Sequence, residues 1–256
     1  MLDDSFAYAK EGIWEKWSRW LLLIISMIIF PLILGYIVRI YRGTKPAPEL
    51  EGWGSMFIDG LKLLVVHIVY WAPVILLVIL AFIPLVSALI TSGALFEDFS
   101  SMSDSQSERW FDSHPELISD LLMAGGFMVI LMIIACFLAI IITIFSFLGV
   151  VRFSRSGSIG EAFNFSAILA HIARIGWFSY ILALMIITII GYIFSMILNI
   201  FSFIPVIGDF VQLFVMIILY VPFILFSSRF SCLVYDAGEE KPLHTENPVV
   251  LSLINQ

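Results

Sequence analysis

Charged residues are scarce in this sequence and are missing from long stretches of it. Only 13% of the 256 residues are Asp, Glu, Lys or Arg, which is about half the share found in soluble domains. Five apolar runs of 19 to 34 residues contain no charged residue. Because about 20 apolar residues in a helix cross the hydrocarbon core of a bilayer, the sequence predicts an integral membrane protein and excludes an ordinary soluble domain.

Cysteines and catalytic motifs are also scarce. Cys136 and Cys232 are the two cysteines, and neither lies in a CxxC or zinc-ligand spacing, so neither a disulfide framework nor a zinc site is implied. The sequence contains no HExxH, no GxSxG and no glycine-rich phosphate loop. We therefore expect no catalytic residue, no metal, no cofactor, no nucleic-acid partner and no enzymatic activity.

The apolar runs predict an all-α membrane protein with about five transmembrane helices and additional amphipathic helices at the interface. Residues 1–235 form a single predicted membrane domain, and a polar tail follows at 236–256. Residues 1–19 predict an interfacial helix, because Trp14, Trp17 and Trp20 recur at three-residue spacing at its C-terminal end. The predicted spans lie near 20–38, 63–95, 121–151, 176–201 and 210–228.

An acidic insert separates the second span from the third. Between residues 97 and 120 there are seven acidic residues and one basic residue, Arg109, together with several serines. This composition predicts a mobile polar loop. Ser113 and Glu116 have capping-box spacing around Pro115, so a helix is expected to restart there.

Basic residues follow the first, third and fifth runs and set the predicted orientation. Lys and Arg are retained on the cytoplasmic side of a membrane. With five crossings, all of these clusters share one face, and the acidic loop 97–120 faces outside with the N-terminus. The prediction is a multi-pass protein of the cell membrane whose tail is cytoplasmic. The residues concerned are Arg39, Arg42, Lys45, Arg152, Arg155 and Arg229.

An alternative topology has four crossings. Lys10, Lys16 and Arg19 would lie outside in the five-crossing arrangement, against the same rule. If residues 20–38 enter the membrane and return around Pro31 and Gly35, the N-terminus joins Arg39 on the cytoplasmic side. Such a turn needs burial against protein.

The exit from the first run resembles the exit from the third. GYIVRIYRG at residues 35–43 aligns with GVVRFSRSG at 149–157 after two single-residue adjustments. An amphipathic segment follows each exit, and the second is predicted to be capped by Ser158 with Glu161 three residues later. The pattern indicates a parallel internal duplication.

Three groups of residues are candidate sites. Arg39, Arg42, Arg152 and Arg155 could bind anionic lipid headgroups, or could serve orientation alone. Asp59 and Lys62, three residues apart on a helix, could pair with each other or with an arginine of the other repeat. His67 lies inside the second run, either as a functional residue or as a core histidine with one hydrogen-bond partner.

These elements resemble an uncharacterised prokaryotic membrane family, domain of unknown function 4013. The resemblance rests on GYIVR at 35–39, on Trp-Gly, Asp-Gly-x-Lys and surrounding residues at 53–62, and on GSIGEAF at 157–163, with Asn164 and Phe165 next to it. It spans about residues 5–235. The family is mostly archaeal, so the resemblance implies an archaeal cell membrane, but it implies no reaction and no ligand.

The sequence favours a structural, lipid-associated or partner-binding role. Charge-free spans flanked by amphipathic helices are typical of proteins that associate with the bilayer and with unidentified protein partners. The alternative is a small-solute transporter, because prolines and glycines interrupt the second and fourth runs and the pattern indicates a duplication. The interrupting residues are Pro73, Pro84, Gly191 and Pro205.

Overall fold

The computed structural model describes residues 1–94, 97 and 99–239. Every regular element in these ranges is a helix, which confirms the predicted all-α class. The α-helices within the described ranges are α1 (Leu2–Ile13), α2 (Trp17–Ile28), α3 (Phe30–Tyr41), α4 (Trp53–Thr91), α5 (Asp104–Asp112), α6 (Pro115–Ser156), α7 (Ile159–Ala162), α8 (Phe165–Ile175), α9 (Trp177–Asn199) and α10 (Gly208–Glu239).

Four helices in the described part of the chain are long and apolar enough to cross a membrane. They are α4, α6, α10, and α9 together with the 3-10 turn that extends it to Phe203. The membrane class is therefore confirmed. Three of them are longer than predicted: α4 absorbs the preceding amphipathic segment, α6 begins at Pro115, and α10 continues to Glu239.

The first apolar run differs from a single straight crossing. It forms α2 and α3, each of 12 residues, which meet at Ile29, and Pro31 lies in the first turn of α3. Arg19 contacts the carboxylate of Glu49, and Arg39 donates to the carbonyl oxygen of the same residue at 3.2 Å. A straight helix would hold residues 19 and 39 about 30 Å apart. The run is therefore bent, as in the four-crossing alternative, with the bend near Ile29.

The polar segments contain more helix than predicted. Residues 104–112 of the acidic insert form α5, which begins with a capping box between Ser103 and Gln106. The second amphipathic segment is divided into α7 and α8. Ser158 lies at the predicted N-cap position, that of α7, but its side chain forms no cap bond. Asn164 caps α8, because its Oδ1 accepts from the amide of Ala167 at 3.2 Å. The predicted tail lies outside the described residues after Glu239.

The chain forms two compact units, and α10 is central to the first. This unit comprises Met1–His67 and the described part of Ile144–Gln256. Helices α1, α2, α3, α8 and α9 contact α10. Burial along α10 is concentrated in its C-terminal half, from Val221 to Tyr235, whereas Phe210 and Phe214 are exposed. The core of this unit therefore surrounds the half of α10 that carries Arg229.

A proline in α10 explains the position of Trp20. Pro222 has no amide hydrogen, so the carbonyl of Ile218, four residues earlier, loses its helical donor. The indole Nε1 of Trp20 donates to that carbonyl at 3.2 Å. An apolar environment makes an unsatisfied carbonyl costly, so this bond fixes α2 against the irregular point of α10.

The second unit, Ile68–Thr143, contains the C-terminal part of α4 and the N-terminal part of α6. Its buried residues include small ones, namely Ala81, Ala88, Ala124 and Ala135. Small side chains allow close helix packing where no water drives association. Most of its large apolar side chains face outward, as expected for lipid-facing helices.

Candidate functional site

Two glycines allow α3 and α4 to meet backbone to backbone. A Cβ atom on Gly35 would lie 1.8 Å from the carbonyl oxygen of Met56, and one on Gly60 would lie 1.7 Å from the carbonyl oxygen of Pro31. Side chains larger than hydrogen do not fit at such a crossing. The crossing holds Asp59, the neighbour of Gly60, within reach of the arginines that end α3.

The second arginine of each predicted repeat binds the backbone of the other repeat. Arg42 Nε donates to the carbonyl oxygen of Ser154 at 3.2 Å, and Arg155 Nε donates to the carbonyl oxygen of Tyr41 at 3.2 Å. In the alignment of residues 35–43 with 149–157, Arg42 corresponds to Arg155 and Tyr41 to Ser154. The exchange is therefore reciprocal, which fits the predicted duplication.

Asp59 pairs with Arg42 of the first arginine cluster. Its Oδ2 lies 2.7 Å from Arg42 Nη2, and its Oδ1 lies 3.9 Å from Lys62 Nζ. The predicted pairing of Asp59 with Lys62 is thus present, but the arginine contact is much shorter. Because the Lys62 side chain is 42% exposed, that pair contributes at most about 1 kcal/mol.

The second cluster is neutralised by acids on two other helices. Arg152 Nε donates to Glu161 Oε2 of α7 at 2.7 Å. Arg155 pairs with the carboxylates of Asp236 and Glu239 on α10 and lies 4.8 Å from the ring centroid of Tyr235. Together these contacts join the end of α6 to α7 and to α10.

The N-terminal helix joins the same end of α10. Asp4 lies 3.0 Å from Lys45 and 3.5 Å from Arg229, whose guanidinium is 5.5 Å from the ring centroid of Tyr8. The hydrogen bond from Lys45 lowers the pKa of Asp4, and the positive charge of Arg229 acts in the same direction. Arg229 is only 4% exposed, so α1 supplies the carboxylate that this buried charge needs.

His171 of α8 is fixed in its neutral form between two partners. Its Nε2 lies 2.8 Å from the carbonyl oxygen of Tyr235, and its Nδ1 lies 2.9 Å from Arg174 Nη2. A carbonyl only accepts and a guanidinium only donates, so Nε2 carries the proton and Nδ1 accepts. Burial lowers the pKa of His171, and the charge of Arg174 acts in the same direction.

This arrangement predicts a stability that depends on pH. A histidine whose pKa is lower in the folded state stabilises the fold above its unfolded pKa of about 6.5 and loses that contribution as the pH falls through its folded value. We expect the melting temperature in detergent to fall between pH 7.5 and pH 5.5, and to fall less in His171→Gln. The control His114→Gln should keep the full decrease. Equal decreases in all three proteins would contradict the assignment.

The structure brings three of the four predicted arginines into one network, and Arg39 lies beside it. Arg39 donates to the carbonyl oxygens of Glu49 and Gly52 in the linker after α3. Contact of these arginines with lipid headgroups stays a prediction.

His67 bonds only within its own helix among the described contacts, with Nδ1 2.9 Å from the carbonyl of Leu63.

Sequence reasoning did not identify Asp4 or His171 as parts of this network. Their partners lie far along the chain, at Arg229 and Tyr235. Only His171 gave a local signal, because it lies on the apolar face of α8 with Ile168 and Ile172 and precedes Arg174 by one turn.

The chemistry available here is ionic cross-linking. Arginine, aspartate and glutamate pairs connect α1, α3, α4, α6, α7 and α10. Among the described residues, no group of three His, Cys, Asp or Glu side chains could hold a metal ion. The arrangement can hold these helices together, and most of its charged side chains pair with opposite charges within the protein.

Comparisons with known proteins place the chain in a family. No curated protein and no solved structure matches the chain. Residues 20–203 match a family model described as a protein of unknown function, DUF4013, and this is well over half of the chain. The matched range contains both glycines of the α3–α4 crossing and the reciprocal arginines. The chain therefore belongs to the DUF4013 family of proteins of unknown function.

Proposed function

We propose that the protein is a lipid-associated structural component of the cell membrane. The observation that carries the proposal is the reciprocal exchange between Arg42 and Arg155, which uses the basic ends of α3 and α6 to join the two repeats. Charges arranged in this way stabilise an assembly of helices at the membrane surface. The large exposed apolar side chains of α4, α6, α9 and α10 give the assembly an extensive surface for lipid.

We further propose that both ends of the described chain lie on the cytoplasmic side. The contacts Asp4–Arg229 and Arg155–Asp236 put α1 beside the basic ends of α6 and α10. Basic residues are retained inside, so this grouping favours four crossings. In a protein without its own cysteines, Asp3→Cys and Ser156→Cys should resist an impermeant thiol reagent on intact cells, while Ser103→Cys reacts. Labelling at residue 3 would restore the five-crossing topology.

The functional proposal is tested by lipid retention and solute flux. Protein purified in a mild detergent should retain native lipid through repeated detergent washing, because its apolar surface and basic end are fitted to the bilayer. Vesicles that contain the purified protein should pass a panel of amino acids, sugars and small ions no faster than protein-free vesicles. Complete loss of lipid on washing, or saturable flux of a solute, would overturn the structural role.

A further inference from the structure

An apolar groove lies between α1, α9 and α10 in the first unit. Its volume is about 620 Å³, within the range of about 300–1,000 Å³ that is usual for small-molecule sites. Its walls include Phe6 and Ile13 of α1, Phe194 of α9, and Leu219, Phe223 and Phe226 of α10.

The wall formed by α9 and α10 is flat and aromatic. The rings of Phe194 and Phe223 stack with centroids 4.4 Å apart and planes 3° from parallel. Pro222 lies next to Phe223 in the lining. A flat apolar wall along two helices matches an extended hydrocarbon chain, which gains contact area without needing a hydrogen-bond partner.

One charged residue, Lys10, lines the groove. Lys10 Nζ lies 5.7 Å from the ring centroid of Trp14, another lining residue. Unlike Lys45 and Arg229, Lys10 forms no ion pair among the described residues. Its charge is therefore available to an anion beside the groove, and an adjacent tryptophan is typical of the headgroup level of a membrane.

We propose that this groove binds one anionic phospholipid, with an acyl chain against Phe223 and Phe226 and the phosphate group near Lys10. The proposal deepens the lipid-associated function and rests on it, because it names the place and the charge of a bound lipid. It also shifts the predicted headgroup contact away from Arg42 and Arg155, whose guanidinium groups are already paired with carboxylates.

The test compares lipid selectivity in matched variants. Purified protein is exchanged into mixed micelles that contain equal amounts of phosphatidylglycerol and phosphatidylcholine, and bound lipid is measured by native mass spectrometry. Lys10→Gln should lower the ratio of bound anionic to zwitterionic lipid about fivefold, the factor for about 1 kcal/mol per basic residue. Lys10→Arg should keep the ratio. Lys16→Gln, which removes an equal charge outside the groove, should leave it unchanged.

A second variant fills the groove. Leu219→Trp should lower the binding of both lipids, since its larger ring occupies the space of the acyl chain. Melting temperatures establish that each variant is folded. If Leu219→Trp fails to fold, the three variants at Lys10 and Lys16 are sufficient to test whether the groove binds the anionic lipid. Equal ratios in Lys10→Gln and the unaltered protein, or equal losses in Lys10→Gln and Lys16→Gln, would overturn the site.

Failure of the site is distinguishable from failure of the proposed function. If the unaltered protein retains lipid but Lys10→Gln has the same selectivity, the groove is not the anionic site and the lipid-associated role stands. If the unaltered protein retains no lipid of either kind, the lipid-associated role itself is wrong.

Discussion

Replacing Gly60 with alanine is expected to separate α3 from α4 and to destabilise the first unit by about 3 kcal/mol. The new methyl group would lie 1.7 Å from the carbonyl oxygen of Pro31 and close to the amide nitrogen of Gly35. Both neighbours are backbone atoms, so no side-chain rotation relieves the overlap and the helices must move apart. Denaturant titration in mixed micelles should show the loss as a lower free energy of unfolding.

Gly54 provides the matched control on the same helix. A Cβ atom there has no heavy atom within 4 Å among the described residues, so Gly54→Ala should be neutral or should stabilise α4 by up to about 1 kcal/mol through lower backbone entropy. Gly35→Ala should resemble Gly60→Ala, because its methyl group would lie 1.8 Å from the carbonyl oxygen of Met56. If Gly60→Ala and Gly54→Ala have equal stabilities, the close crossing is wrong.

The long helices could be predicted from sequence because the bilayer imposes a simple rule. A run of uncharged residues that is long enough to cross the hydrocarbon core forms a helix, since its backbone N–H and C=O groups must hydrogen-bond to each other. Pro73 and Pro84 lie within α4 without ending it, as membrane helices allow. The same rule was insufficient for residues 20–38, where α3 begins at Phe30 with Pro31 in its first turn. Glu49 contacts both Arg19 and Arg39, the residues on either side of this run.

The site was predictable only in its local parts. The spacing of Asp59 and Lys62 and the equivalence of Arg42 with Arg155 follow from the sequence. Which carboxylate faces which arginine depends on how α10 packs, and periodicity does not specify that. Asp236 illustrates the limit. The sequence predicts it in a polar tail after the fifth span, whereas α10 continues to Glu239 and brings Asp236 to Arg155.

The distribution of burial connects the fold to the proposed role. In the first unit, buried residues are concentrated where α1, α3 and α8 surround the C-terminal half of α10. The opposite half of α10 has exposed Phe210 and Phe214. The ion pairs therefore lie where several short helices pack around the C-terminal half of α10. Exposed apolar residues, which suit contact with lipid, predominate in its N-terminal half. This division is consistent with a protein anchored by its spans and organised at its basic end.

Replacing Arg155 with glutamine is expected to lower the free energy of unfolding by about 3 kcal/mol, because hydrogen bonds to charged groups contribute about 1.5–3 kcal/mol each. The change removes the pairing with Asp236 and Glu239 and the bond from Nε to the carbonyl of Tyr41. Arg39→Gln, which loses only solvent-exposed bonds to uncharged oxygens of the linker and of Ser55 in α4, should lower it by about 1 kcal/mol. Mixed-micelle titration of both variants measures the difference.

A double-mutant cycle tests whether the reciprocal arginines act together. Arg42→Gln removes the bond to the carbonyl oxygen of Ser154. This bond joins the ends of α3 and α6, as does the bond from Arg155 to the carbonyl oxygen of Tyr41. Once one of the two bonds is lost, α3 and α6 can separate at this point. Removal of the second bond should then lower the free energy of unfolding by less, with a coupling energy of at least about 0.5 kcal/mol. Strict additivity of the two changes, with the selectivity for phosphatidylglycerol altered instead, would mean that these arginines serve lipid headgroups and do not join the repeats.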